Sequence, residues 1–342
     1  MTVVALGELL LRLKSPGHER LLQSAMFEAT IGGAEANVLE ALAVDNIPTA
    51  YISAVPDGPL GDAALAELRR FGVDVSRVLR VPGRLGTYYL EAGVGHRPAR
   101  VIYDRADSTM ARAEPTAFDW PALLAGTSWL HVSGVTPAIS ATAAKVTLDA
   151  VQAARTAGIG VSVDFNHRAA LWQWGRPATD VMPDIVSCAT IAIAGREDIQ
   201  KMLGMPLPGR ADGAPDMEAF DQLGGTVLER FPSLEAVAIT LRESESASRH
   251  AWWALLRTRS GTHRSRRWEI VDVVDRIGAG DAFAAGLLYA LRTYGAKEYA
   301  SALEFATAAS CLKHTIPGDV NRVRASEVEA LLAGDAGGRV QR

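Results

Sequence analysis

Near the carboxyl end the chain reads Asp275-Arg276-Ile277-Gly278-Ala279-Gly280-Asp281-Ala282-Phe283, and a helical pattern rich in small residues continues from there to Leu291. Gly278 and Gly280 can take positive φ and carry no side chain. The N–H groups of Ala279, Gly280 and Asp281 can therefore converge on an anion, helped by the positive end of the following helix. Asp281 then sits where a carboxylate can take a proton from a hydroxyl. A bare Gly-x-Gly-Asp also serves as an ordinary helix start with Asp281 as its cap. Asp275 and the apolar run from Ala282 tip the balance toward a phosphate cradle with a base in it. Neither a Gly-x-x-x-x-Gly-Lys-Ser/Thr loop nor a Gly-x-Gly-x-x-Gly fingerprint after the first strand is present, so phosphate must be held by another scaffold.

Outward from this motif, short apolar runs bounded by turn residues recur at 3–6, 51–55, 129–132, 161–165, 190–194 and 236–241, with helical patterns at 34–44, 60–71, 141–157 and 217–230 between them. Alternating strand and helix predicts an α/β fold with a mostly parallel sheet and ligands beyond the strands' carboxyl ends. Segments 9–31 and 86–105 break the rhythm and read as a small antiparallel sheet projecting from the main domain. A glycine-rich polar tail, 333–342, is expected to fray.

The 342 residues, 48% hydrophobic and 22% charged, suit a globular chain, and a net charge of −4 gives no footprint for nucleic acid. Arg257, Arg259, Arg264, Arg266 and Arg267 cluster locally and read as a solvated loop. Two cysteines, Cys188 and Cys311, lie in apolar or small-residue segments, which gives no disulfide framework and points to a reducing, cytoplasmic compartment. No run approaches a membrane span or a signal segment, and no membrane partner is expected.

A second glycine motif, Gly32-Gly33-Ala34-Glu35-Ala36-Asn37, opens the first long helix. Adjacent glycines permit close approach of a ligand, and Asn37 offers both donor and acceptor to hydroxyls; a plain flexible turn fits as well. Together the two motifs resemble both signatures of the ribokinase (PfkB-type) carbohydrate kinases, along nearly the whole chain. The resemblance implies a ribokinase-like three-layer α/β/α domain over 1–332, with 9–31 and 86–105 as a lid over the sugar. It implies Asp281 as the catalytic base, Gly278, Ala279 and Gly280 as the anion cradle, and ATP with Mg2+ as cofactors. A homo-oligomer is expected.

Tyr89, Tyr103 and Arg105 in the lid-like strands, Arg168 after the 161–165 strand, and Ser133-Gly134-Val135-Thr136-Pro137 resemble stretches of 2-keto-3-deoxygluconate kinases. An acid sugar carries a carboxylate that guanidinium forks bind bidentately, and Arg105 and Arg168 are candidates for that contact; each also fits a surface ion pair, Arg105 with Asp104 or Asp107. Glu8, Gly32, Gly33 and Asn37 complete the expected sugar site, with Glu8 reaching a hydroxyl or closing a salt bridge. The implied reaction is phosphorylation of a sugar acid's terminal hydroxyl. A fructokinase, a ribokinase-like enzyme, a kinase for the galacto epimer and a non-catalytic sensor remain as alternatives.

The chain departs from the family's pattern in two places. Ala194-Gly195-Arg196-Glu197 replaces the usual Asn-x-x-Glu, leaving Glu197 to hold Mg2+ through water or to start a helix. Thr240-Leu241-Arg242-Glu243-Ser244-Glu245-Ser246 replaces a Lys-x-Gly-x-x-Gly stretch, which makes Arg242 and Ser244 nucleotide candidates. The 313–319 run resembles the loop beside the nucleotide base, where His314 is the candidate contact. Some relatives hold potassium there, and Asp275 is the candidate for K+.

Overall fold

The computed structural model describes residues 2–207 and 216–334; the expected tail lies, from 335 onward, outside the described residues. Its strands are β1 (Thr2–Leu6), β2 (Leu10–Lys14), β3 (Glu28–Gly32), β4 (Thr49–Pro56), β5 (Val78–Val81), β6 (Gly86–Glu91), β7 (Arg100–Asp104), β8 (Thr127–Ser133), β9 (Gly160–Asp164), β10 (Ile191–Gly195), β11 (Ala236–Ser244), β12 (His250–Thr258), β13 (Thr262–Arg264) and β14 (Trp268–Ile270). The longer helices are α1 (Ala34–Val44), α2 (Pro59–Phe71), α3 (Ala141–Thr156), α4 (Met217–Arg230), α5 (Ala279–Thr293) and α6 (Tyr299–Lys313).

The main sheet runs β13-β12-β11-β10-β9-β8-β1-β4-β5, with β14 beside β12. From β5 to β11 every pairing is parallel, for example Ala5 opposite Tyr51 and Ile193 opposite Ala238. These strands are apolar almost throughout because helices cover both faces. One layer packs Val4, Leu6, Val132 and Val163 under α3 and α4; the other packs Val3, Ala5 and Tyr51 under α1, α5 and α6. This is the α/β ribokinase-like architecture expected.

Beyond β11 the sheet turns antiparallel. The arginine cluster read as a solvated loop lies on and around this edge hairpin. Arg257 pairs with Asp221, Arg266 with Glu304, and Arg267 with Glu243 and Glu269. Charge on an edge strand blocks pairing with another chain, which a search for loops does not anticipate.

A second sheet of four strands, β3-β2-β6-β7, forms the lid. Its outer pairs are antiparallel as expected, but its central pair, β2 with β6, is parallel. Both strands begin excursions that leave the carboxyl-terminal end of the main sheet, one after β1 and the other after β5, so they set out in the same direction.

Candidate active site

The cradle forms where α5 starts. Gly278 takes a left-handed φ of 81°, and a Cβ there would lie 1.8 Å from the Asp319 carbonyl oxygen, so no other residue fits. Gly280 works differently from the sequence expectation. It lies within the first helical turn without positive φ, and nothing stands within 4 Å of the place its Cβ would occupy. The missing side chain keeps the cavity floor clear for a ligand to approach the amides.

Asp281 is buried beside these amides and accepts a 2.7 Å hydrogen bond from Asn37 Nδ2. Burial pushes its pKa up to about 7; the Asn37 bond opposes that rise and nearby Asp319 adds to it. A carboxylate tuned to neutrality is suited to accepting and returning a proton near physiological pH. Among the described residues Asn37 Oδ1 has no hydrogen-bond partner.

These groups line a cavity of about 830 Å³ between the lid and the carboxyl ends of β9–β11. Gly33, Tyr103, Arg105 and Arg168 line it as expected. Arg105 is also committed inside the protein: its Nε and an Nη lie 2.6 Å from Glu8 Oε2, both side chains buried. Thus Glu8 closes a salt bridge, and Asp104 pairs with Arg84 instead. Gly32 is absent from the lining; its missing Cβ makes room for Asp319 Oδ2, which would lie 2.5 Å away.

Tyr89 is misplaced by the sequence reading. Successive side chains alternate across a strand, and Tyr89 faces away, edge-on to Phe27 with ring centroids 6.1 Å apart. Its neighbour Tyr88 lies opposite Tyr103 in the register and lines the cavity.

At the other end Arg242, Ser244, Glu197 and Trp252 line the cavity together with Arg276, which sequence reasoning quoted in the motif but gave no role. Arg242 presents surface to solvent yet sits within the concave mouth, surrounded by protein. Burial and then repulsion from Arg276 and Arg168 lower its pKa, and Arg276 is lowered in the same way by burial and Arg168. Three guanidiniums facing one cavity form a receptor for a multiply charged anion.

His314 does not reach the cavity. It is buried behind Trp252, with Nδ1 2.7 Å from the Ser310 carbonyl and its ring edge-on to His250, and burial holds its pKa down at about 3. Trp252 therefore stands where His314 was expected. Asp275 is likewise taken up: Oδ2 accepts from Arg12 at 2.6 Å and from the Gly318 amide, and Oδ1 from the Ile277 amide. An arginine from the lid occupies the carboxylate assigned to K+, which a local motif cannot foretell across 263 residues of separation.

Glu197 is half-exposed at the rim, where Lys201 hydrogen-bonds it at 2.5 Å and holds its pKa below the usual range. Asp164 and Asp198 also line the cavity. Burial, then Asp281 and Asp198, drive the Asp164 pKa well up. Among the described residues no three His, Cys, Asp or Glu are grouped to hold a metal. The available donors are hard carboxylate oxygens at an open rim, which fits Mg2+ carried mainly by water and phosphate.

A lidded α/β/α domain with a glycine cradle, a buried neutral-range carboxylate and an arginine-lined cavity defines a sugar phosphotransferase of ribokinase-like fold. The chain belongs to the pfkB family carbohydrate kinases, whose family model matches residues 2–324. It is similar to the 2-dehydro-3-deoxygluconokinase of Thermotoga maritima, at 40% identity over 98% of both chains with a TM-score of 0.90. The 2-dehydro-3-deoxygalactonokinase of Haloferax volcanii is 33% identical over 98% of each chain. The 2-dehydro-3-deoxygluconokinase of Bacillus subtilis is 27% identical over 94% of this chain and 92% of its own. No helix among the described residues is long and apolar enough to cross a membrane.

Proposed function

We propose that this carbohydrate kinase transfers the γ-phosphoryl group of ATP to the terminal hydroxyl of a sugar acid, 2-keto-3-deoxygluconate first and its galacto epimer second. The observation that carries the proposal is one cavity holding Asp281 at the glycine cradle and three converging guanidiniums. Arg242 and Arg276 answer to the phosphates of ATP, which leaves Arg168 at the sugar end for a carboxylate that a neutral sugar lacks. The galacto epimer is kept because a kinase named for it is 33% identical over nearly the full chain.

In this reading the sugar lies under the lid with its hydroxyl at Asp281 and its carboxylate toward Arg168. Arg105, half-used by Glu8, offers its remaining donors to the same end. Asp281 accepts the hydroxyl proton as the oxygen attacks phosphorus and ADP leaves with the bridging electron pair. The Ala279, Gly280 and Asp281 amides face the charge on the transferring group, so catalysis is positioning plus electrostatics. Arg242, Arg276 and Ser244 face the phosphates. Mg2+, when bound, neutralises phosphate charge, and Glu197 would hold its water shell.

Homo-oligomer formation belongs to this reading, as does a reducing compartment, which the two free cysteines fit. A sensor without turnover is disfavoured by an intact Asp281 at the glycine cradle. Steady-state ADP release on 2-keto-3-deoxygluconate, its galacto epimer, fructose and ribose tests the proposal. A preference for fructose or ribose would remove the acid-sugar assignment, and no turnover on any would favour the sensor.

A further inference from the structure

Arg12 lies in the middle of β2 on the lid, is only 2% exposed, and makes no contact that the proposed chemistry requires. Its two terminal nitrogens reach different carboxylates: one bonds Asp275, at 2.6 Å, and the other Asp319. Both carboxylates belong to the cradle. Asp275 holds the Ile277 amide at 3.0 Å, one residue before Gly278, and the Gly318 amide at 3.1 Å. Asp319 lays its carbonyl against Gly278, while its carboxylate accepts the Tyr88 hydroxyl from β6 and fills the space left by Gly32 at the end of β3. Three lid strands and both loops flanking the cradle therefore meet on two buried aspartates.

We propose that Arg12 is a positioning residue, a latch by which closure of the lid on the sugar sets the cradle for the nucleotide. The proposal rests on the kinase reading above. A fork bridging two buried carboxylates has no cheap intermediate, because withdrawing it leaves two like charges in a low-dielectric site with only the buried Lys313 ammonium, already bound to the Asp275 and Ile316 carbonyls, to offset them. The lid can shift only if Asp275 and Asp319 shift or lose their partner. Either event releases the Ile277 amide and the wall behind Gly278. Sugar binding under the lid favours the latched state, and the latched state favours phosphate in the cradle. By linkage, nucleotide must strengthen sugar binding by the same factor.

The test compares wild type with Arg12→Met, which keeps length and loses the fork, and Arg12→Lys, whose point charge serves one carboxylate at a time. The affinity for a non-hydrolysable ATP analogue is measured with and without saturating sugar acid. Wild type should show a coupling of about fivefold or more. Arg12→Met should fall below about twofold, with Arg12→Lys between them. In parallel, ligand-free hydrogen exchange should quicken in Arg12→Met both at residues 10–14 and at 276–280. Tyr88→Phe, which removes one bond of the cluster, gives a milder form of both effects if Arg12→Met does not fold.

Wild-type coupling retained in Arg12→Met, no coupling in wild type, or faster exchange confined to the lid would each overturn the latch. If none of the four sugars is bound, the substrate proposal fails while the exchange comparison still decides the latch.

Discussion

Replacing Asn37 with leucine should move the acid limb of the activity profile upward. Burial alone disfavours the charged Asp281 carboxylate, whereas the 2.7 Å bond from Asn37 Nδ2 favours it and holds the pKa at about 7. Removing that donor leaves burial less opposed, so the sign is a rise. A hydrogen bond to a charged group contributes roughly 1.5–3 kcal/mol, which corresponds to about 1–2 pH units. The carboxylate would then titrate near ~8–9, and the ionised fraction at pH 7 would fall from about half to roughly 1–10%. The expected outcome is a kcat/KM some 5- to 50-fold lower at pH 7, recovering most of its wild-type value by about pH 9.5. The assay is kcat/KM for the sugar against pH at saturating ATP, because kcat/KM reports the ionisation of Asp281 before the sugar is bound. A kcat/KM reduced by one constant factor at every pH would refute the reasoning.

Asp281→Asn should abolish turnover while leaving nucleotide affinity within a few-fold, and should raise thermal stability at pH 8 more than at pH 5. The carboxyl's folded pKa is raised from 3.8 to about 7, so the wild type loses stability as pH climbs between those values, by up to a few kcal/mol; an equal stability gain at both pH values would count against it. Gly278→Ala should cost at least about 1–2 kcal/mol from the left-handed backbone alone, read by urea titration, and more from the Asp319 carbonyl; an unchanged midpoint would contradict the geometry. Glu197→Gln should raise the Mg2+ concentration for half-maximal rate, and an unaltered titration would return Glu197 to a mere partner of Lys201. Arg168→Leu should impair a sugar acid roughly ten- to a hundredfold more than any slowly used neutral sugar. Arg105→Leu is a poorer probe, since it would strand Glu8 as a buried charge.

The alternation of apolar runs and helical periods was enough to place the parallel strands and the lid, because both faces of the main sheet are covered and its strands are apolar for that reason. Gly278, Asp281 and Asn37 were legible since a local motif decides their geometry. Parity was harder: two tyrosines stand side by side, and only the pairing register decides that Tyr88 turns inward. What local reading could not reach were contacts made across the chain. Arg12 meets Asp275 and Asp319 from 263 and 307 residues away, and nothing near Arg12 in sequence marks it. The assignments of Asp275 to a cation and His314 to the nucleotide failed for the same reason. Arg12 reaches Asp275 from the lid, and Trp252, on a separate strand, stands in front of His314.

The repulsion among Arg168, Arg242 and Arg276 also bears on how the empty enzyme meets its surroundings. A concentrated positive mouth attracts whatever polyanion is abundant, so sulfate, inorganic phosphate and pyrophosphate become competitors before any sugar arrives. Raising ionic strength weakens the attraction for all of them, with a Debye length near 8 Å at physiological salt setting the range. Apparent Michaelis constants will then depend on the choice of buffer, and a phosphate buffer will mimic poor nucleotide affinity. In the proposed reaction the same field would oppose the departure of a phosphorylated sugar acid, whose two anionic ends would give it a stronger hold than its precursor. Escape of that product, rather than the chemical step, would then set turnover.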